Sequence, residues 1–536
     1  MSVLVHTILS NTCRSVYADR PPSHRLLTAV RLWAGSGPAV TTDAAPVAPG
    51  FERSIHRFAS FAVAFSFISI ATGIFTTYGS VLASSGPLGI WTWLIVLAGQ
   101  LCVAFVYASF AARIPLTGYS YQWFSRLANP VAGWIVGWLS FVFLVIVAVA
   151  VDYALASTVL PALFSLTAST GLVWAITAVL LAIQASLIAL STRATARVNS
   201  AAVLAEIGGV VGLTVLLLVV GAFTGKLDFS NLFSRGAIPA EGYFSLGTAT
   251  TVSPWMLAFL LGAFTLVGFE SAANLAEETD DPKVVVPRAM WSATLLAGIA
   301  GFLFLVAVTA AAGAGGGVAA LAKSATPVAD VVDGVLGNVV GTLLLVLVAI
   351  AIFACGLVIM ITGTRLAWAM SRDDRFPGSR LIKRIDSVRG TPVWSTLVVW
   401  GLAEVILAVF STSTDALFKL FGASTLLPAI VYFLTVVLYV VKRRSLPREE
   451  GFHLGRFEWP VIALALVWLV FELSIFRDSS FADARLYVLV MLALGLAYLG
   501  WLLVSRGGIK GLAMPDLSSP DRVLDEAAGA PALEVT

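Results

Sequence analysis

The chain has 536 residues, of which 59% are hydrophobic and 12% are charged, and its formal net charge is +3. A soluble domain carries about 25% charged residues, so this composition excludes an ordinary soluble protein and predicts an integral protein of the lipid bilayer. The small net charge gives no indication of a nucleic-acid partner.

The first 57 residues precede the apolar part of the chain. They contain no apolar core of adequate length with a cleavage site, so we expect no cleavable signal peptide. Their mixture of Arg, Pro, Ser and Gly predicts a disordered tail over residues 1–57. The three cysteines lie apart and all four histidines fall outside the apolar segments, so we expect neither a metal site nor another cofactor.

Twelve apolar segments follow, and each is about as long as, or longer than, the roughly 20 residues that a membrane-spanning helix needs. The predicted fold is therefore an all-α membrane protein with twelve transmembrane helices. In chain order the predicted spans are residues 58–84, 88–112, 131–160, 171–191, 199–223, 254–276, 290–313, 334–369, 392–411, 415–441, 459–477 and 485–505.

The distribution of positive charge predicts the orientation of these spans. An even number of spans places both termini on one side of the membrane. The tails and the loops after even-numbered spans hold 26 of the 33 Lys and Arg residues, whereas the opposite loops and the adjoining ends of the spans hold six. Because positively charged loops stay in the cytoplasm, both termini are predicted to be cytoplasmic.

The sixth predicted span is interrupted near its middle. Gly268, Glu270 and Asn274 break the apolar run of residues 254–276. A charged side chain near the bilayer centre costs about 2.5–3.5 kcal/mol on insertion scales, so Glu270 needs a reason to be there. Since a helix breaks with least steric resistance at glycine, a broken helix beside a carboxylate predicts a substrate site inside the membrane.

The first predicted span has a corresponding interruption. Ala71, Thr72 and Gly73 form a small, polar centre at membrane mid-depth. Unwound backbone offers N–H groups that suit a carboxylate and carbonyl groups that suit an ammonium, which together match a zwitterionic amino acid. The alternative is that the glycines only let neighbouring helices pack closely.

Paired interruptions in corresponding spans of two halves are typical of secondary transporters. They predict a first repeat at residues 58–223 and an inverted second repeat at residues 254–441. Spans 11 and 12, residues 459–505, would be appended to these repeats, and residues 506–536 would form a cytoplasmic tail.

Several segments resemble the amino acid–polyamine–organocation transporters. The shared segments are the first-span signature at residues 70–75 (IATGIF), the sixth-span motif at 264–271 (FTLVGFES), the loop at 277–289 and the end of span 8 at 364–377. The match runs from about residue 58 to 505. Residues 75–79, 115–123 and 151–153 are most similar to the amino acid/choline branch, which includes permeases for 4-aminobutyrate.

The resemblance implies a five-plus-five inverted-repeat fold and alternating access. It also implies a set of substrate-binding residues: Ala71, Thr72, Gly73, Phe264, Thr265, Val267 and Gly268. The first three would hold the substrate carboxylate, Phe264 would be an aromatic gate, and the last three would hold the amine through backbone carbonyls. Glu270 would be a gating or proton-sensitive carboxylate.

Glu206 is the second acidic residue of interest. It lies about two turns into span 5, where some family members carry a lysine whose ammonium replaces a coupling sodium ion. A glutamate there can instead accept a proton, because desolvation favours the neutral carboxyl. The alternative is that Glu206 pairs with a polar neighbour or Arg365 and only fixes packing. Asp152, Glu404 and Glu472 are weaker candidates, and the last two are expected to be local hydrogen-bonding or interfacial groups.

Two further segments concern coupling and gating. Residues 352–357 of span 8 lack the hydroxyl pair of related sodium sites, which disfavours sodium coupling and leaves proton symport and exchange open. The acidic residues 277–281 could contact the arginines of residues 372–389 as a cytoplasmic gate, but a solvated face is the expected arrangement.

The leading functional interpretation is a secondary active transporter of the plasma membrane for an amino acid or related amine, coupled to protons. The alternatives are an amino acid exchanger without proton coupling and a transporter-like sensor or channel. We do not expect an enzyme, because the chain contains no Gly-x-Ser-x-Gly elbow, HExxH motif or phosphate-binding loop.

Overall fold

The computed structural model describes residues 55–167, 169–386, 389–410, 416–446 and 451–508, with only the backbone at 192–193 and 416–418. The tails predicted at the two ends of the chain lie largely at residues 1–54 and 509–536, outside the described residues. Within the described residues, regular structure is helical apart from an isolated parallel bridge between Ile55 and Thr279.

Long apolar α-helices make up most of the fold, joined by short α-, 3-10 and π-helical turns. In chain order the α-helices are α1 Arg57–Ile68, α2 Ile70–Ser84, α3 Thr92–Arg113, α4 Tyr119–Leu127, α5 Pro130–Ala154, α6 Leu160–Phe164, α7 Thr170–Leu190, α8 Thr192–Phe223, α9 Pro254–Thr265, α10 Ser271–Asn274, α11 Pro282–Ala310, α12 Val318–Leu321, α13 Pro327–Leu336, α14 Asn338–Arg372, α15 Ser379–Ile382, α16 Val393–Phe410, α17 Ala416–Lys442, α18 Glu458–Ile475 and α19 Ala482–Ser505.

The described part of the chain has 11 helical stretches that are long and apolar enough to cross a membrane. The apolar helix α9, Pro254–Thr265, is too short to do so alone. It occupies the first half of the predicted sixth span, and the short helix α10 occupies the second half. The chain is therefore an all-helical membrane protein, and the count of twelve spans stays a prediction.

The interrupted helices lie in the interior of the bundle. Helix α1 packs against α8, α11 and α14, while α2 packs against α9. Helix α5 is almost entirely buried between α14 and α17, whereas α18 and α19 contribute few buried residues. The apolar faces of these outer helices remain exposed, as expected for surfaces that contact lipid.

One end of the bundle carries both ends of the described chain, and we call it the terminal end. His56 pairs there with Asp280 at 2.5 Å, and the Arg506 guanidinium donates to the Asp374 carbonyl at 2.7 Å. The backbone of Ile55 exchanges hydrogen bonds with Glu278 and Asp280. The opposite end, which carries the turn at residues 479–481, is the distal end.

Several helices begin earlier than predicted. Helix α11 starts at Pro282 rather than residue 290, and α8 starts at Thr192 rather than residue 199. Both added turns contain Lys or Arg, which were assigned to loops because of their charge. Proline suits the first position of α11 because its missing N–H is not needed there.

Candidate functional site

The two helix interruptions meet in the middle of the bundle. Helix α9 ends at Thr265, and Gly268 has φ +87°, so the predicted break in the sixth span is present. A Cβ at Gly268 would come within 1.8 Å of the Phe67 ring, and one at Gly73 within 2.0 Å of the Thr265 hydroxyl oxygen. Glycine is required at both positions because the first and sixth spans touch at their breaks.

The break in the first span lies at Ser69, not at the predicted Ala71–Thr72–Gly73 centre. Ser69 has φ 30° and ψ 98°, and its side chain accepts a hydrogen bond from the Thr72 backbone N–H at 3.2 Å. A serine hydroxyl is a favoured helix N-cap, so helix α2 restarts immediately after it. The three predicted residues therefore lie in the first turn of α2, and Gly73 there packs closely against Thr265.

Glu206 reaches this break from α8. One carboxylate oxygen accepts from the Ser69 hydroxyl at 2.9 Å and from the Ala71 backbone N–H at 3.2 Å. The side chain is buried, with 2% of the residue exposed. Arg365 is not its partner, because that guanidinium donates to Glu278 at 2.6 Å. Glu206 thus places a carboxyl group at a helix N-terminus, where the backbone dipoles stabilise its ionised form.

The sixth-span break exposes backbone on its own side of this centre. In the part of the chain that the structure describes, the carbonyl oxygens of Thr265 and Val267 accept no backbone hydrogen bond outside the regular helices. The Thr265 hydroxyl donates back to the Leu261 carbonyl at 2.6 Å. These two carbonyl oxygens are acceptors that suit an ammonium group.

Glu270 lies between the break and the terminal end. The Tyr432 hydroxyl donates to its carboxylate at 2.6 Å and accepts from the Gly268 backbone N–H at 3.0 Å. The Tyr107 ring stands edge-on to the Tyr432 ring at 5.2 Å. A carboxylate and two tyrosines from three separate spans therefore meet beside the break.

Phe264 borders a cavity on the distal side. The cavity measures about 260 Å³ and reaches from Phe264 to the distal turn at Ser480. The Phe264 ring packs against Phe421 with centroids 4.5 Å apart. The cavity lining is mostly apolar, with a few hydroxyl side chains among aliphatic and aromatic ones: Thr77, Ser80, Val81, Ser84, Leu257, Leu260, Leu261, Phe264, Phe421, Gly422, Thr425, Phe476, Ser480 and Phe481. Phe264 thus lines this cavity directly before the end of α9 at Thr265.

Two ion pairs lie at the terminal end, where contacts between the acidic loop and residues 372–389 are predicted from the sequence only as the alternative to a solvated face. Glu278 pairs with Arg365 and Glu277 with Arg372 at 2.8 Å, and both carboxylates are buried. The expectation of a solvated face is therefore wrong for these two glutamates. Glu277 also accepts from the Thr117 backbone N–H at 3.1 Å, which ties it to the loop before α4. The signal available in the sequence was Arg365, a cation inside an apolar span that needs a buried anion.

Three other acidic residues lie away from the breaks. Asp152 accepts from the Gln184 amide at 2.9 Å, and Glu472 faces the Gln100 amide at 3.5 Å. Both carboxyl groups are fully buried. Glu404 accepts from Trp400 one turn away at 2.9 Å, which is the local contact expected for it.

A metal site requires a group of side chains that can together bind a metal ion. In the described ranges, no group of three or more His, Cys, Asp and Glu side chains could hold one. On α14, opposite the first break, Cys355 directs its thiol to the Phe67 carbonyl at 3.4 Å.

Comparison with known proteins gives a consistent result over most of the chain. The sequence matches the amino acid permease family at residues 55–496. Amino-acid permease BAT1 of Arabidopsis thaliana is 26% identical over 453 residues, covering 78% of this chain and 84% of that protein. Amino-acid permease 2 of Neurospora crassa is 28% identical, covering 80% and 79%. The GABA-specific permease of Saccharomyces cerevisiae is 24% identical, covering 77% and 74%.

Proposed function

This chain belongs to the amino acid permease family, and from that premise we propose that it is a secondary active transporter working by alternating access. Its substrate is an amino acid or related amine, carried across the plasma membrane with protons as the coupling ion. The permease relatives support transport of an amino acid across a membrane. The observation that carries the mechanism is the meeting of two helix breaks between a distal cavity and a closed terminal end.

The proposed site lies at this meeting point. The substrate carboxylate binds at the start of α2, at Ala71, Thr72 and Gly73. The amine binds the backbone carbonyl oxygens of Thr265 and Val267, which the break at Gly268 frees. A zwitterion suits such a site because backbone N–H and carbonyl dipoles stabilise opposite charges without adding a net charge to the membrane interior.

The gates follow from what lies on each side of the site. Phe264 separates the site from the distal cavity, and Glu270 with Tyr432 closes it toward the terminal end. The Glu277 and Glu278 ion pairs form a second closure beyond. In this conformation the access path is distal, and transport requires the terminal contacts to open while Phe264 and its neighbours close over the substrate.

The orientation and repeat organisation belong to the same proposal. Twelve spans, with both termini in the cytoplasm, make the terminal end the cytoplasmic side and the distal cavity the external vestibule. The breaks in α1–α2 and α9–α10 support an inverted repeat of five plus five spans, because they occupy corresponding positions in residues 58–223 and 254–441. Spans 11 and 12 flank this core.

The test is uptake into proteoliposomes that contain the purified protein. Labelled amino acids are offered with unlabelled competitors of four classes: α-amino acids, 4-aminobutyrate, polyamines and choline. Saturable uptake of an amino acid that increases with an inward proton gradient is the expected result. Uptake that occurs only against a preloaded substrate would make the protein an exchanger, and current without saturation would make it a channel.

The variant Gly268→Leu tests the site itself. A leucine at a positive φ and against the Phe67 ring disrupts the break, so uptake should be lost while membrane insertion is retained. Normal transport by this variant would contradict the proposed site.

A further inference from the structure

The start of α2 has no free N–H group to offer an incoming ligand. The Ala71 N–H donates to Glu206, the Thr72 N–H to the Ser69 hydroxyl oxygen and the Gly73 N–H to the Ser69 carbonyl. The Ile70 N–H also faces the Glu206 carboxylate. The first turn of a helix normally leaves such groups open for a cap or an anion. Here the chain supplies its own anion, the Glu206 carboxylate.

Glu206 leaves no room for a second carboxylate beside it. The space between Glu206, Ala71 and the facing side chains of α14 measures about 10 Å³, and a single water molecule needs at least about 10–15 Å³. The Ser69 hydroxyl cannot donate to a substrate carboxylate either, because it already donates to Glu206 at 2.9 Å. A substrate carboxylate can reach the N–H groups of α2 only if Glu206 withdraws from them.

The surroundings of Glu206 contain no opposing charge that would let two carboxylates coexist. The titratable group facing it is the Cys355 thiol from α14, itself directed to the Phe67 carbonyl. Helices α2, α8 and α14 otherwise present apolar side chains there, among them Phe75 and Leu213. No charged side chain of the described residues acts on this carboxylate.

We propose that the Glu206 carboxylate and the substrate carboxylate compete for the start of α2, so that an amino acid binds there only when Glu206 carries a proton. The inference rests on the proposed function and deepens it. One proton enters Glu206 as one substrate carboxylate replaces it at the Ala71 N–H. The proton leaves when the substrate departs and the Glu206 carboxylate returns to its N–H partners.

This competition separates two classes of ligand. A ligand with a carboxylate takes up one proton on binding, so its affinity rises about tenfold for each unit of falling pH while Glu206 is ionised. An amine without a carboxylate does not compete with Glu206 for the start of α2, so its affinity does not depend on pH in this way. The competition therefore makes proton coupling a property of carboxylate-bearing substrates.

The test is equilibrium binding to the purified full chain in lipid nanodiscs, from about pH 5.5 to 7.5, where the charges of these ligands change little. The probes are 4-aminobutyrate, L-alanine and L-arginine, each beside its decarboxylated partner: propylamine, ethylamine and agmatine. Affinity of the bound amino acid should rise steeply with falling pH, and that of its bound amine should stay level. Equal slopes for the two members of a pair would overturn the inference.

The variant Glu206→Gln keeps an oxygen for Ala71 and Ser69 but loses the charge. It should bind the amino acid at about pH 7.5 as tightly as the unaltered protein does at about pH 5.5, with a flat profile between. Glu404→Gln, the same change at a peripheral span, should keep the steep profile. A steep profile in Glu206→Gln would also overturn the inference.

The outcomes separate this inference from the proposed function. If no amino acid or amine binds at any pH, the proposed transport function fails and the competition fails with it. If amino acids bind with pH-independent affinity, the transport function stands and only the competition fails. Should Glu206→Gln not fold, the comparison of each amino acid with its amine in the unaltered protein still decides.

Discussion

Replacing Gly268 by alanine is the smallest change that probes the paired breaks. Gly268 has φ +87°, and an added Cβ would lie 1.8 Å from a ring carbon of Phe67. The left-handed backbone costs about 1–2 kcal/mol for a residue with a Cβ, and overpacking costs about 1–3 kcal/mol. We therefore expect Gly268→Ala to destabilise the conformation with the broken sixth span by about 2–5 kcal/mol relative to conformations without this break.

This strain falls on the conformation that holds the substrate. Because about 1.4 kcal/mol corresponds to a factor of ten in a dissociation constant, the affinity for substrate should fall by at least about 30-fold. The assays are equilibrium binding and initial uptake rates in proteoliposomes, each normalised to inserted protein. The matched control is Gly212→Ala, since a Cβ at Gly212 of α8 meets nothing within 4 Å. This control should bind and transport normally.

A double variant separates the two sources of strain. Phe67→Ala removes the ring that the new Cβ meets but leaves the positive φ unchanged. Combined with Gly268→Ala, it should cost less than the sum of the single changes, with a coupling of about 0.5–3 kcal/mol. If Gly268→Ala binds substrate like Gly212→Ala, or if the two changes are simply additive, the close contact at the break is not what shapes the site.

Three further predictions concern the closures and the scaffold. Arg365→Gln leaves Glu278 without its ion-pair partner in the interior, so it should destabilise the protein by about 3–5 kcal/mol in thermal unfolding. Arg372→Gln, at the more exposed pair, should destabilise it much less. Equal losses of stability in the two variants would contradict the burial argument. Partial burial raises the pKa of Asp478, but hydrogen bonds from Ser480 and Val252 and the Arg485 charge outweigh it and hold that pKa below its usual range. The stability that ionised Asp478 contributes is present above about pH 4 and is lost as pH falls further. Asp478→Asn should therefore lower the melting temperature at neutral pH and change it little in acid, and an equal decrease at both pH values would argue against this linkage. Asp152→Asn keeps the oxygen that accepts from Gln184 and replaces Oδ2, which has no hydrogen-bond partner in the described residues, by an N–H donor. It should fold and melt within a few degrees of the unaltered protein, whereas Asp152→Ala should melt clearly lower.

Part of the site was accessible from the sequence because its signals are local. Gly268 and Glu270 stand two residues apart in an apolar run, and few structures other than a broken helix accommodate both. The structure confirms that break. The first-span break could not be placed as well, because Ser69 is one small polar residue among several. Its role as a helix cap depends on φ and ψ values that composition does not specify.

The contacts that join distant segments were the hardest to predict. Glu206 could be identified as a buried acid, but its bond to the Ala71 N–H depends on how α8 packs against the first span. Likewise, Glu277 and Glu278 look like a solvated acidic loop until Arg372 and Arg365 are brought to them. Helix periodicity determines which face of a helix is apolar, but it does not determine which partner that face meets.

The central claim is that an amino acid binds where the two breaks meet, and the most direct measurement is the binding stoichiometry of a radiolabelled amino acid. The ligand is one that the uptake panel identifies, offered to purified protein in nanodiscs. One molecule should bind per chain in the unaltered protein and in Gly212→Ala, and binding should be lost in Gly268→Leu although that variant is folded and inserted. Binding to folded Gly268→Leu with unaltered affinity and stoichiometry would contradict the account.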